Sequence, residues 1–99
     1  MLTRHPSIPP THPGALLREI VLPGTGLTKV AFAEALGVSR QTLYDMLNQK
    51  QPVTANLAVR LGKLLDNGAQ FWMNMQRNYD LAIAEREVDV TNIPTLVAD

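Results

Sequence analysis

Ninety-nine residues, 45% hydrophobic and 18% charged, suit one small folded domain and exclude a disordered chain or two separate cores. The absence of cysteine rules out a disulfide framework and a Cys-based zinc site. Net charge is zero but segregated: +1 over residues 1–28, +3 over 29–63 and −4 over 64–99, an asymmetry that points to two different partners.

Residues 1–12 are proline-rich and expected to be irregular. They contain no apolar run of signal-peptide length, and nothing downstream approaches the roughly 20 apolar residues of a membrane span. Thr11 or His12 followed by Pro13 reads as a helix cap with proline at the first helical position. Leu16, Leu17, Ile20 and Val21 give this first helix an apolar face, and Leu22-Pro23-Gly24-Thr25-Gly26 is expected to break it.

Thr28 caps a second helix, whose Val30, Phe32, Ala33 and Leu36 end at Gly37. Ser39 starts a third, carrying Leu43, Met46 and Leu47. Thr54 caps a fourth, with Leu57, Ala58, Leu61, Leu64 and Leu65 in one stripe, stopping near Asn67-Gly68. A fifth is expected from about Ala69 into the Glu85 region, with Phe71, Trp72, Met75, Tyr79, Ala82 and Ile83 on one broad face. Residues 88–99 form an irregular tail. The fold class is all-α with five helices: a helical domain over 13–87 between the proline-rich segment and the tail.

Gly37-Val38-Ser39 is a turn of helix-turn-helix length, and the flanking residues meet that motif's demands. Ala33 is small where the two helices approach, and Gly37 supplies a left-handed C-terminus. Val38 plugs the turn, Ser39 caps the next helix, and Leu43 and Met46 anchor its inner face. The outer face then offers Arg40, Gln41, Thr42, Tyr44, Asp45 and Asn48, groups able to bond base edges or phosphates of double-stranded DNA. Recognition helices present their N-terminal residues to the major groove, so Arg40 and Gln41 are the expected base readers. Thr28, Lys29, Ser39, Asn48 and Lys50 flank the two helices as further DNA contacts, chiefly to phosphate.

His12-Pro13-Gly14, Leu36-Gly37-Val38-Ser39-Arg40-Gln41, Val53-Thr54 before Arg60-Leu61, Phe71-Trp72-Met73-Asn74-Met75-Gln76 and Tyr79-Asp80-Leu81 closely resemble the HigA antitoxins. These belong to the wider Xre-like repressor group, and the resemblance covers about residues 9–82. It implies a lambda-repressor-like fold and a cytoplasmic bacterial antitoxin. Such an antitoxin dimerises, binds a palindromic operator, represses its own operon and neutralises an mRNA-cleaving HigB toxin of the RelE type. The chain departs from the family in having Ala15 where glutamate is usual. It also starts its fifth helix through Asn67-Gly68-Ala69-Gln70 instead of the commoner Ser-Pro-Glu.

Phe71 and Trp72 read as core or dimer interface, not as a base-stacking platform, and with Met75 and Tyr79 they make the fifth helix the expected dimer element. RelE-type toxins carry basic surfaces, so Asp80, Glu85, Glu87 and Asp89 are the expected toxin contacts. His5 and His12 are the only histidines and have no third ligand at metal-site spacing; no metal and no cofactor is expected. Ser39 lacks a nucleophile-elbow setting and the phosphate-cradling loop motif is absent, so no enzymatic activity is expected. The alternatives are a stand-alone transcriptional regulator without a toxin, a protein-interaction module that has lost DNA binding, and a small-ligand-sensing regulator.

Overall fold

The structure, a computed structural model, describes residues 10–97. The first nine residues, including Arg4 and His5 of the proline-rich segment, and the last two, including Asp99, lie outside the described residues. Between them the chain forms five helices and no strand. We number these α1 (13–25), α2 (Lys29–Leu36), α3 (Arg40–Leu47), α4 (Ala55–Leu65) and α5 (Ala69–Glu87).

The first helix corrects the sequence reading. It does not break at Leu22-Pro23 but passes through a π-helical stretch, Leu17–Val21, and resumes as Leu22–Thr25. Proline inside an α-helix clashes with the carbonyl four residues back and removes a donor. The wider π turn relieves that clash: Leu22 N–H bonds back to Leu17 O, and Pro23 follows with no N–H left to place. Buried Leu22 holds the continuation against the core. The helix stops at Gly26, in left-handed conformation at φ 73°, with Thr25 Oγ1 donating to Leu22 O at 2.7 Å.

The next three helices start as their sequence indicates. Thr28, Ser39 and Thr54 each adopt an extended backbone and accept, through the side-chain oxygen, the N–H three residues on: Ala31, Thr42 and Leu57. α2 closes in a Schellman turn, with Gly37 at φ 75°, Gly37 N–H bonded to Glu34 O and Val38 N–H to Ala33 O. α3 closes the same way with Gln49 at φ 61° in the position that favours glycine, and Lys50 N–H bonded to Asp45 O.

The core gathers Leu17, Phe32, Leu43, Met46, Leu61 and Trp72, with Ala33, Leu36, Leu47, Val53, Leu57 and Ala58 around them. α5 lies along α4 and covers this core with its first half. Trp72 Nε1 donates to Asn67 Oδ1 at 2.9 Å, so the indole is buried with its one polar atom satisfied. Gln76, also buried, accepts the Val53 N–H on Oε1 at 2.7 Å and so secures the segment between α3 and α4.

At the other end, His12 caps α1 by accepting Gly14 N–H on Nδ1 at 2.9 Å. Its ring meets Tyr79 of α5 edge-on, centroids 4.8 Å apart. Gly14 is required here, because a Cβ would overlap the Met46 carbonyl of α3. The His-Pro-Gly sequence thus docks the start of α1 between α3 and α5.

Candidate nucleic-acid interface

The outward side of α2 and α3 is built by their caps and by the inward anchoring of Leu43, Met46 and Leu47, all buried. Once those three point to the core, helical periodicity turns Arg40, Gln41, Tyr44 and Asp45 away from it. Arg40 and Gln41 are exposed in the first turn of α3, while Thr42, Tyr44 and Asp45 are half-buried. Asn48 and Lys50 are exposed just past its C-terminus, and Thr28 and Lys29 are exposed at the start of α2. None of these expected contacts is in the core.

Three local links order this surface. Lys29 Nζ stands 5.7 Å from the centroid of the Tyr44 ring, joining the start of α2 to the outer face of α3. Ser39 Oγ, besides capping the helix, donates to Thr42 Oγ1 at 2.9 Å. Gln41 Nε2 donates to Asp45 Oδ1 at 2.8 Å, one turn along. Ser39 and Thr28 are therefore already engaged as caps. Arg40 and Lys50 form no ion pair among the described residues, leaving two cations for phosphate or base edges.

Two residues that support the surface escaped the sequence reading in this role. Arg60 Nη1 of α4 donates to Leu36 O at 3.0 Å and to Gly37 O at 3.4 Å, holding the turn from behind. Gln76 holds Val53, as above. The sequence signals were slight: a basic residue, Arg60, one turn after Asn56 on α4, and a polar residue, Gln76, amid the aromatic run of α5.

The expected dimer residues separate. Trp72 is wholly enclosed in the chain's own core, which corrects its assignment to an interface: it faces α4 and leaves nothing for a partner to cover. Phe71, 42% exposed, and half-buried Met75 and Tyr79 instead form one stripe at i, i+4 and i+8 that runs beside Trp72, with the Phe71 ring edge-on to the indole at 5.0 Å. Phe71 and Met75, with Pro10 and Thr11, line a shallow hollow of about 370 Å³.

The expected toxin contacts separate too. Asp80 is exposed but accepts from Gln76 Nε2 at 2.9 Å. Glu85 and Glu87 are exposed in the last turns of α5. A helix advances about 100° per residue, so Asp80 and Glu87 share one face and Glu85 points elsewhere. Asp89 accepts both the N–H and the hydroxyl of Thr91, which hold its carboxyl below the usual range. His5 lies outside the described residues, and His12 commits Nδ1 to its cap. No helix among the described residues is long and apolar enough to cross a membrane.

Comparison with known proteins agrees with this geometry. A helix-turn-helix family model matches residues 17–72. The chain is 40% identical over 86 residues to virulence-associated protein I of Dichelobacter nodosus, covering 87% of this chain and 80% of that protein. Two solved structures superpose on it. One is the Pseudomonas aeruginosa antitoxin HigA with the higBA promoter (38% identity, TM-score 0.72, 83% of this chain and 98% of that one). The other is the antitoxin GraA in complex with its operator (34% identity, TM-score 0.81, 99% of this chain and 100% of that one).

Proposed function

The chain belongs to the helix-turn-helix family as a non-enzymatic, DNA-binding regulator of antitoxin type, and from that premise we propose how it works. It binds a palindromic operator as a homodimer, represses its own operon, and neutralises an mRNA-cleaving toxin of the HigB, RelE-like kind. The observation that carries this is the α3 surface: a Ser39-capped helix whose first turn offers Arg40 and Gln41, backed by a turn held rigidly by Arg60. The operator and promoter complexes of similar antitoxins support operator DNA as the ligand here.

In this reading Arg40 pairs with guanine O6 and N7, and Gln41 reads adenine. Lys29, Lys50 and Asn48 hold phosphates, with the capped hydroxyls of Thr28 and Ser39 beside them. Thr42, Tyr44 and Asp45 complete the groove-facing side. One such module has a small footprint, so a two-fold dimer presents two copies of α3 to half-sites about 34–36 Å apart. The Phe71, Met75 and Tyr79 stripe joins the copies. The acidic end of α5 and the tail attract the basic toxin away from α3, so that the complex represses as a unit.

The test is twofold. Duplex DNA from upstream of the chain's own gene should be bound far more tightly than scrambled duplex at physiological salt. The product of the adjacent gene, co-expressed, should co-purify with the chain and lose its RNase activity. Operator binding without any such partner would leave a stand-alone regulator.

A further inference from the structure

Gln41 and Asp45 stand one turn apart on the outer face of α3, and the amide nitrogen of Gln41 donates to the Asp45 carboxylate at 2.8 Å. A carboxylate only accepts, so the group turned toward Asp45 has to be the NH₂ of the amide. One N–H is consumed, and the order of what remains is fixed: the carbonyl oxygen as acceptor, and the second N–H as donor beside it.

That order matches one purine. Adenine offers a donor, N6–H, next to an acceptor, N7; guanine offers two acceptors, O6 and N7. A glutamine free to turn its amide end over can give its NH₂ to guanine. Tethered to Asp45, it can still donate its second N–H to one guanine acceptor, but its carbonyl oxygen then lies against the other. The carboxylate itself stands on a surface that must approach phosphates, where a negative charge lowers affinity for any sequence. Loss of affinity in exchange for discrimination is how a site rejects wrong partners.

We propose that Asp45 is a positioning residue for base recognition, holding Gln41 as a reader of adenine and against guanine. This rests on the reading of α3 as the helix that enters the groove, and it names what that helix selects.

The full-length chain is mixed with a randomised duplex pool and the bound DNA sequenced, for the native protein, Asp45→Ala and Gln41→Ala, with melting midpoints recorded for all three. The native protein should enrich adenine over guanine about tenfold or more at one position of each half-site. Gln41→Ala should erase that column. Asp45→Ala should bring the adenine-to-guanine ratio at the same column toward one while raising retention of random duplex, with an unchanged melting midpoint. Asp45→Asn, which keeps an acceptor oxygen, should retain part of the preference. If Gln41→Ala erases the column and Asp45→Ala leaves it intact, Asp45 positions nothing and the proposal falls while the recognition helix stands. A column untouched by Gln41→Ala but erased by Arg40→Ala also overturns it. A native protein that enriches no sequence overturns the operator-binding reading itself.

Discussion

Arg60 Nη1 on α4 donates to the carbonyl of Leu36, the last residue of α2, at 3.0 Å. The Schellman turn satisfies the carbonyls of Ala33 and Glu34 but not that of Leu36, so the guanidinium supplies the missing donor. Nε is anchored meanwhile on Asn56 Oδ1 at 2.7 Å, which fixes the plane of the fork. Arg60→Ala should lower the free energy of unfolding by about 1–2 kcal/mol, around the lower end of the range for charged hydrogen bonds because the site is partly exposed. Arg60→Lys should recover little, since one ammonium cannot reach all three oxygens. Denaturant midpoints at constant m-value check this, and a lysine variant as stable as the native chain would show that charge alone suffices.

His12 makes stability depend on pH. Burial lowers its pKa from 6.5, partly opposed by the nearby Asp80 carboxylate, and its Nδ1 accepts a hydrogen bond that a proton would abolish. The unfolded chain therefore takes up the proton first. Stability from this group is fully present above 6.5 and is lost as pH falls from there toward the depressed folded value. His12→Asn keeps a capping oxygen, so the slope of unfolding midpoint against pH in that window should flatten. A slope that persists in His12→Asn and vanishes in His5→Asn would assign the effect to the other histidine.

The fold was legible wherever a local signal decides the conformation. Thr28, Ser39, Thr54 and Gly37 act where their side chains, or the lack of one, dictate. What was not legible depends on neighbours far along the chain. A helix continuing through Pro23 needs the π turn and the anchoring of Leu22, neither of which has a local sign. That Trp72 is enclosed by its own chain is set by packing against the rest of the fold, because it shares one broad apolar face with Phe71, Met75 and Tyr79 and periodicity does not say which of them the chain covers. Likewise Arg60 gains its role only once the end of α2 is beside it.

Arg40 and Lys50 should differ in kind. On the proposed reading Arg40, in the first turn of α3, reads a base edge, so Arg40→Ala should cost about 1–3 kcal/mol in operator affinity and relax one operator position. On the same reading Lys50, exposed beyond the end of the helix, contacts the DNA backbone. Lys50→Ala should weaken all sequences alike and reduce the slope of log K against log salt by about one. Equal and uniform losses from both variants would show that Arg40 reads no base.

Two substitutions on α5 separate core from interface. Trp72→Asp buries a charge in the core and deletes the bond to Asn67, so the variant should fail to fold. Met75→Glu changes a half-buried position on the outer stripe, so the chain should stay folded but sediment as a monomer and bind its operator weakly. Sedimentation at micromolar concentration, with circular dichroism on the same samples, decides it. A Met75→Glu protein that remains dimeric would exclude the Phe71, Met75 and Tyr79 stripe as the joint.

The end of α5 carries the toxin prediction. Residues 64–99 hold a net charge of −4, and the core stops at Ala82, so the last turns of the helix project beyond it. An exposed acidic segment raises the association rate with a basic partner, and the rate then falls steeply with salt. Asp80 and Asp89 each have an intramolecular partner, Gln76 and Thr91, on one carboxylate oxygen, so deleting either breaks a local bond as well as removing charge. Charge reversal is therefore more telling than deletion of single carboxylates. Glu87→Lys combined with Asp89→Lys should slow capture of the adjacent gene's product several-fold at low salt, flatten its salt dependence and leave operator affinity no weaker. Stopped-flow association at two ionic strengths measures this. An unchanged rate and salt slope would remove the acidic segment from the encounter and move the search for the toxin surface to α1 and the residues before it.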